Sequence, residues 1–138
     1  MTARSRLATL ACLPLLAFAL TAFAPDGDLD DIMGGLKNGL KSLSGLVKSA
    51  DNDERTLGVL HEMQGLSMQG KLATPPRNDV PEARWDAHVK AYRADMARLL
   101  MALAQMEVDV LEGRHEKATG DLRDVLVKLR NDSHDKYK

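Results

Sequence analysis

The sequence predicts an all-α fold, specifically an antiparallel up-down-up-down four-helix bundle. Three observations predict it. Of 138 residues, 44% are apolar and 28% charged, a mixture that builds the core of one domain rather than a membrane bundle or a disordered chain. Aromatic residues are only 4%, and Leu, Ala, Met, Lys, Glu, Asp and Arg outnumber the β-branched residues, which disfavours a sandwich or barrel. Apolar positions recur at three- and four-residue steps in four segments joined by short connections, and short connections make neighbouring helices antiparallel.

The first segment is an address. Arg4 and Arg6 precede an uncharged stretch from Leu7 to Ala24 that ends in Ala22-Phe23-Ala24, the charged, apolar and small-residue regions of an export signal. Residues 1–24 are therefore expected to be a signal peptide and 25–138 the folded domain. Pro25 is a poor residue after a cut, so the cleavage position stays open. The run is short for a membrane anchor and contains Pro14, so no membrane insertion is expected once the signal is removed. Cys12, the only cysteine, lies in the leader, which leaves the exported chain without a thiol. Of the 19 basic residues Arg4 and Arg6 go with it, leaving 17 against 20 acidic, a net charge of −3 that gives no field to attract nucleic acid.

Helix one carries the stripe Leu29, Ile32, Met33, Leu36, Leu40, Leu43 and Val47. It also holds Gly34, Gly35, Gly39 and Gly45, each costing roughly 0.5 to 1 kcal/mol relative to Ala, so packing or a ligand must offset them. Asp51 and Glu54 read as a capping box opening helix two, whose stripe runs through Leu57, Leu60, Met63 or Gln64, and Leu66 or Ser67, to Leu72. Thr74-Pro75-Pro76 stops it. A second capping box, Asp79 with Glu82, opens helix three, with Pro81 in the first turn. That helix runs through Trp85, Val89, Tyr92, Met96, Leu99, Leu100, Leu103 and Met106 to Val110, and Gly113 ends it. Helix four carries Leu122, Val125, Leu126 and Leu129, with His134 and Tyr137 near its end.

This connectivity brings the start of helix one, the end of helix two, the start of helix three and the end of helix four to one end of the bundle. Met33, Pro75, Pro76, Tyr92, Met96 and His134 converge there. Met33 offers a soft thioether and His134 an imidazole, a pair suited to a transition metal such as haem iron. The bland readings are core packing for Met33 and a solvated, dipole-facing position for His134.

The segment Asp28-Leu29-Asp30-Asp31-Ile32-Met33, the loop Leu72-Ala73-Thr74-Pro75-Pro76, the turn Leu111-Glu112-Gly113 and the terminus from Leu129 to Lys138, with Arg130, His134, Lys136 and Tyr137, together resemble the cytochrome b562 family. The resemblance spans the exported chain. It implies a four-helix bundle holding non-covalent haem b, with Met33 and His134 as axial ligands of the iron. It places Arg130 near the haem edge, where a guanidinium pairs with a propionate. It also places Leu36 and Leu40 of helix one, Pro75 and Pro76 of the loop, and Tyr92 and Met96 of helix three around the haem. Tyr92 and Met96 stand where the family has phenylalanines, and the glycines of helix one depart from its pattern. Met96 is a rival axial thioether. Without Cys-x-x-Cys-His, covalent attachment is excluded.

With both axial positions filled by side chains, no site remains for substrate on the iron. The expected function is then electron transfer rather than enzymatic turnover, by a periplasmic monomer meeting another exported redox protein transiently. The first alternative is a haem-free exported helical bundle acting in interaction or stress response. The second is a metal protein using His61, His88, His115 and His134, which lack the i, i+4 pairing or Glu-x-x-His spacing of a di-metal bundle.

Overall fold

Asp28 leaves the backbone extended and its side chain accepts from the Asp30 amide at 3.4 Å, which opens α1 (Leu29–Leu46). Asp30 and Asp31 in the first turn face the positive end of the helix dipole. The computed structural model describes residues 28–127 together with Asn131. The expected signal peptide at 1–24 lies outside the described residues, as do Leu129, Arg130, His134 and Tyr137. Among the described residues there are four α-helices, and none is long and apolar enough to cross a membrane.

Ile32, Leu36, Leu40 and Leu43 form the buried face of α1. Each contributes about 1.5 to 3 kcal/mol on burial, more than each glycine costs. The glycines divide by function. A Cβ on Gly35 would stand 2.6 Å from Leu66 Cδ1, and one on Gly39 would strike Met63, so both let α1 lie close against the next helix. Gly34 and Gly45 face open space.

A single 3-10 turn at Ala50–Asn52, closed by the Asn52 amide on the Ser49 carbonyl, leads into α2 (Asp53–Leu72). This turn draws Asp51 into itself and moves the cap to Asn52, so the capping box expected from Asp51 and Glu54 does not form. α2 buries Thr56, Leu60, Met63, Ser67 and Gly70. Its apolar stripe thus gives way to small residues toward the end, where neighbours approach closely, while Leu72 is left exposed. Ser67 is satisfied by its own helix, donating to the Met63 carbonyl at 2.8 Å.

Pro81 takes the cap position of α3 (Glu82–Leu111), with no side-chain cap bond. The second expected capping box therefore fails too, because Asp79 lies two residues before the cap, and Pro81 stands outside the first turn. The end of α3 follows expectation. Gly113 adopts φ 73°, its amide reaches the Val110 carbonyl at 3.0 Å and the Arg114 amide reaches the Asp109 carbonyl at 2.7 Å, the paired bonds of a Schellman turn. α4 (His115–Asp121) follows and continues into a π-helical turn at Leu122–Leu126 that packs on α1 and α3. Ala118, Leu122 and Leu126 join the common core.

A buried charge holds the α3–α4 turn. Asp109 is fully buried, and its carboxylate accepts from Lys117 Nζ at 2.6 Å, from Arg114 Nε at 2.9 Å and from Gln105 Nε2 at 3.2 Å. These donors, Lys117 first, hold its pKa at about 2, against 3.8 ordinarily. A carboxyl depressed in the fold contributes stability that is complete above its unfolded pKa and is lost as pH falls through the folded value. Denaturant unfolding should therefore show a loss of stability between about pH 4 and pH 2. Asp109→Asn should flatten this window and cost about 1.5 to 3 kcal/mol at neutral pH. In the same assay Gly34→Ala and Gly45→Ala should stabilise by roughly 0.5 to 1 kcal/mol. Gly39→Ala should destabilise by about 1 to 3 kcal/mol, because overpacking against Met63 exceeds the helix gain.

Candidate functional site

The start of α1 and the end of α2 meet against the middle of α3. Gly70, near the end of α2, lies beneath Ile32 of α1 and Met96 of α3: a Cβ there would stand 3.4 Å from Ile32 Cγ2 and 2.6 Å from Met96 Cε. The Tyr92 hydroxyl donates to the Gly70 carbonyl at 2.7 Å. That carbonyl lies in the last turn of α2, where helix carbonyls need outside donors. Burial raises the Tyr92 hydroxyl to about 12.

The remaining expected residues divide. Leu36 and Leu40 are buried in the core face of α1. Pro75 is buried at the linker and Pro76 is exposed. Met33 is 37% exposed, on the flank of the stripe rather than its centre. One residue turns an α-helix by about 100°, which sets Met33 on the flank away from Gly35 and Gly39. Those two glycines face α2. Arg130 and His134 lie outside the described residues, so Met33 is the described half of the expected ligand pair.

These placements bear on whether haem fits. The space enclosed by Ile32, Gly70, Tyr92 and Met96 is filled by side chains in contact, and it has no slot for a flat macrocycle among those four. Met96 is committed to covering Gly70, which makes it a poor rival ligand. The flank of α1 is more open: Met33 is partly exposed beside the apolar face formed by Ile32 and Leu36. The described residues thus do not fit a haem buried among Ile32, Gly70, Tyr92 and Met96.

Two features escaped the sequence reading. Trp85 stacks on His88 with ring centroids 5.6 Å apart, and the Arg77 guanidinium stands 5.3 Å over Trp85, fastening the linker to the start of α3. The Arg77–Glu82 ion pair lies beside it. The signal was Trp85 four residues after Pro81, and the linker arginine gave no periodic cue. The second feature is a surface groove of about 700 Å³ at the other end, lined by Ser42, Gly45, Arg55, Gly58 and Glu62. Missing glycine side chains open it.

The described histidines pair with neighbouring side chains. His61 Nε2 donates to Glu107 Oε1 at 2.7 Å, and Gln64 donates to Glu107 Oε2 at 2.6 Å. Gln64 and then His61 hold the Glu107 carboxyl below its usual range. His115 Nε2 lies 2.7 Å from Asp53 Oδ1, tying the start of α4 to the start of α2. Among the described residues no group of three His, Cys, Asp or Glu side chains is arranged to hold a metal ion. No family model matches the chain, and no curated protein matches it.

Tyr92 supplies a test of this packing. Its hydroxyl ionises near 10 in the unfolded chain and near 12 in the fold, so stability should fall as pH rises from about 10 to about 12. Tyr92→Phe should remove that part of the alkaline loss. It should also cost about 1 kcal/mol at pH 7, read by thermal unfolding.

Proposed function

We propose that the chain is an exported b-type cytochrome of the periplasm, an antiparallel up-down-up-down bundle that holds haem b without a covalent bond and passes single electrons to another exported redox protein. The observation that carries this reading is Met33, a thioether-bearing residue 37% exposed on the flank of α1 turned away from α2. The direction of the helices supports it. Ile32 meets Gly70, Gly35 meets Leu66 and Gly39 meets Met63, with rising numbers on α1 against falling numbers on α2. Gly70 with Tyr92, and His61 with Glu107, run the same way between α2 and α3. His115 at Asp53 starts α4 at the far end, and Leu122–Leu126 lies on α1.

In this reading Met33 and His134 supply a sulfur and a nitrogen to the iron, and Leu36 and Leu40 back the ring with hydrocarbon. Arg130, four residues before His134, would pair with a propionate. Pro75, Pro76, Tyr92 and Met96 shape the end of the bundle beneath, with Tyr92 and Met96 acting through packing. Bound haem would supply one-electron exchange between ferrous and ferric iron. The thioether of Met33 would raise its potential relative to a second imidazole. The mildly acidic exported chain favours a basic partner.

A second reading, a haem-free exported bundle acting in interaction or stress response, is favoured by the filled space among Ile32, Gly70, Tyr92 and Met96. Haemin titration followed by absorption separates the two. The cytochrome reading expects saturable uptake with sharp reduced α and β bands, loss of the six-coordinate bands in Met33→Ala, and loss of tight uptake in His134→Ala. Parent-like spectra in both variants would refute the ligand pair. No uptake by the parent chain would leave the haem-free bundle.

A further inference from the structure

α3 is apolar on two opposite faces. Tyr92, Met96, Leu103, Met106 and Val110 point into the core. On the other side a second apolar row repeats at steps of three and four residues over the length of the helix: Ala87, Ala94 and Ala97 in its first half, Met101, Val108 and Leu111 in its second. Ala104 and Lys90 complete the spacing. Met101 is 71% exposed, Leu111 65% and Val108 43%. Scattered exposed apolar side chains are ordinary, but a heptad row interrupted only at Lys90 and opposite a core is a coiled-coil seam left uncovered among the described residues. α2 and α4 do not cover it among the described residues. Glu107 faces α2 through His61 and Gln64, and Asp109 faces α4 through Lys117, both to the sides of the row.

We infer that this seam binds a second copy of the same chain, forming a two-fold dimer in which the two α3 helices run antiparallel. The row is complementary to itself only in that direction. Its small half meets the large half of the other copy: with the axis beside Leu99, Ala87 faces the partner's Leu111 and Ala97 faces the partner's Met101. Lys90 falls opposite the partner's Val108, a single polar position of the kind that fixes register. The flanking charges match at the same register. Arg93 comes opposite the partner's Glu107, and Arg84 opposite the partner's Glu112. Glu107 already accepts from His61 and Gln64, yet a carboxylate has about four acceptor positions. A parallel pairing would instead set Leu111 against the partner's Leu111 and alanine against alanine, with voids in the first half.

The size is that of a weak dimer. Thirty residues give a helix of about 45 Å, and a width of about 10 Å gives a footprint of roughly 450 Å² on each copy, about 900 Å² in total, under the roughly 1,000 Å² of stable specific interfaces and in the range of transient ones. This replaces the monomer expected from sequence and stands apart from the haem reading.

Sedimentation equilibrium of the full chain, from about 1 μM to about 1 mM, should show the mass rising from 15.1 kDa toward twice that value. Met101→Glu and Leu111→Glu, both at exposed positions, should keep the helical circular dichroism and raise the dissociation constant at least tenfold. In a Cys12→Ser background, Ala87→Cys combined with Leu111→Cys should oxidise to a covalent dimer and Leu111→Cys alone should not. A mass of 15.1 kDa throughout, whether the seam is bare or covered by residues 128–138, overturns the proposal. So does a dimer that survives both glutamates, or cross-linking by Leu111→Cys alone.

Discussion

The carboxylate of Asp109 is the constraint on which the arrangement of the last helix depends. Burying an ionised group is costly unless donors replace water, and here three side chains do so from both sides of the Gly113 turn. Lys117 stands in α4, Arg114 in the turn and Gln105 one helical turn back on α3. Satisfying one charge therefore sets where α4 leaves α3. The Schellman bonds reverse the backbone, and the Asp109 network fixes the side on which the returning chain lies. His115 at Asp53 then holds the start of α4 against α2.

The other end of the bundle is organised by small residues. Gly35, Gly39 and Gly70 let α1, α2 and α3 approach until Leu66, Met63 and Met96 fill the space a Cβ would take. Methionine suits such gaps because its unbranched side chain adapts to irregular volumes. Tyr92 adds a directional bond, closing an end carbonyl of α2 from the neighbouring helix. Packing and hydrogen bonding converge on one residue, Gly70, and this leaves no vacant volume there for a cofactor. The functional question moves outward to the surface of α1.

Much of this was legible in the residues, for a physical reason. Burial on one face imposes a period, so the buried positions of α1 and the stop at Gly113 could be read from spacing and from the glycine requirement of a left-handed turn. The caps could not. Asp51 and Asp79 have the right chemistry at the right spacing, but a 3-10 turn and Pro81 shift the helix starts, and such shifts depend on where the incoming chain is held. The burial of Asp109 was equally hidden, because an aspartate beside Val108 and Val110 reads as a surface residue until Lys117 and Arg114 fold back onto it. At the site, the meeting of the start of α1 with the end of α2 could be read from connectivity, whereas their contact with the middle of α3 through Tyr92 and Met96 required the side chains themselves. Met33 and Leu36 share one stripe in sequence, yet a rotation of about 60° separates a buried core position from a half-open flank.

The two surfaces singled out by this fold do not compete. α1 and α3 both pack chiefly on α2, and the seam of α3 faces away from the core that α1 contributes to. A dimer joined through Met101 and Leu111 would cover the outer face of α3 and leave the Met33 flank of each copy open to a ligand and a partner. A haem on that flank would conversely leave the seam as apolar as before, because neither Met33 nor Leu36 touches it. Binding at one surface should therefore leave affinity at the other nearly unchanged, since coupling needs a ligand that discriminates between two states of an element shared by both sites. Two elements are shared: α2, held to α1 by the glycine contacts and to α3 by Glu107 and Tyr92, and the turn at Leu122–Leu126, which packs on both. A rigid shared helix transmits little.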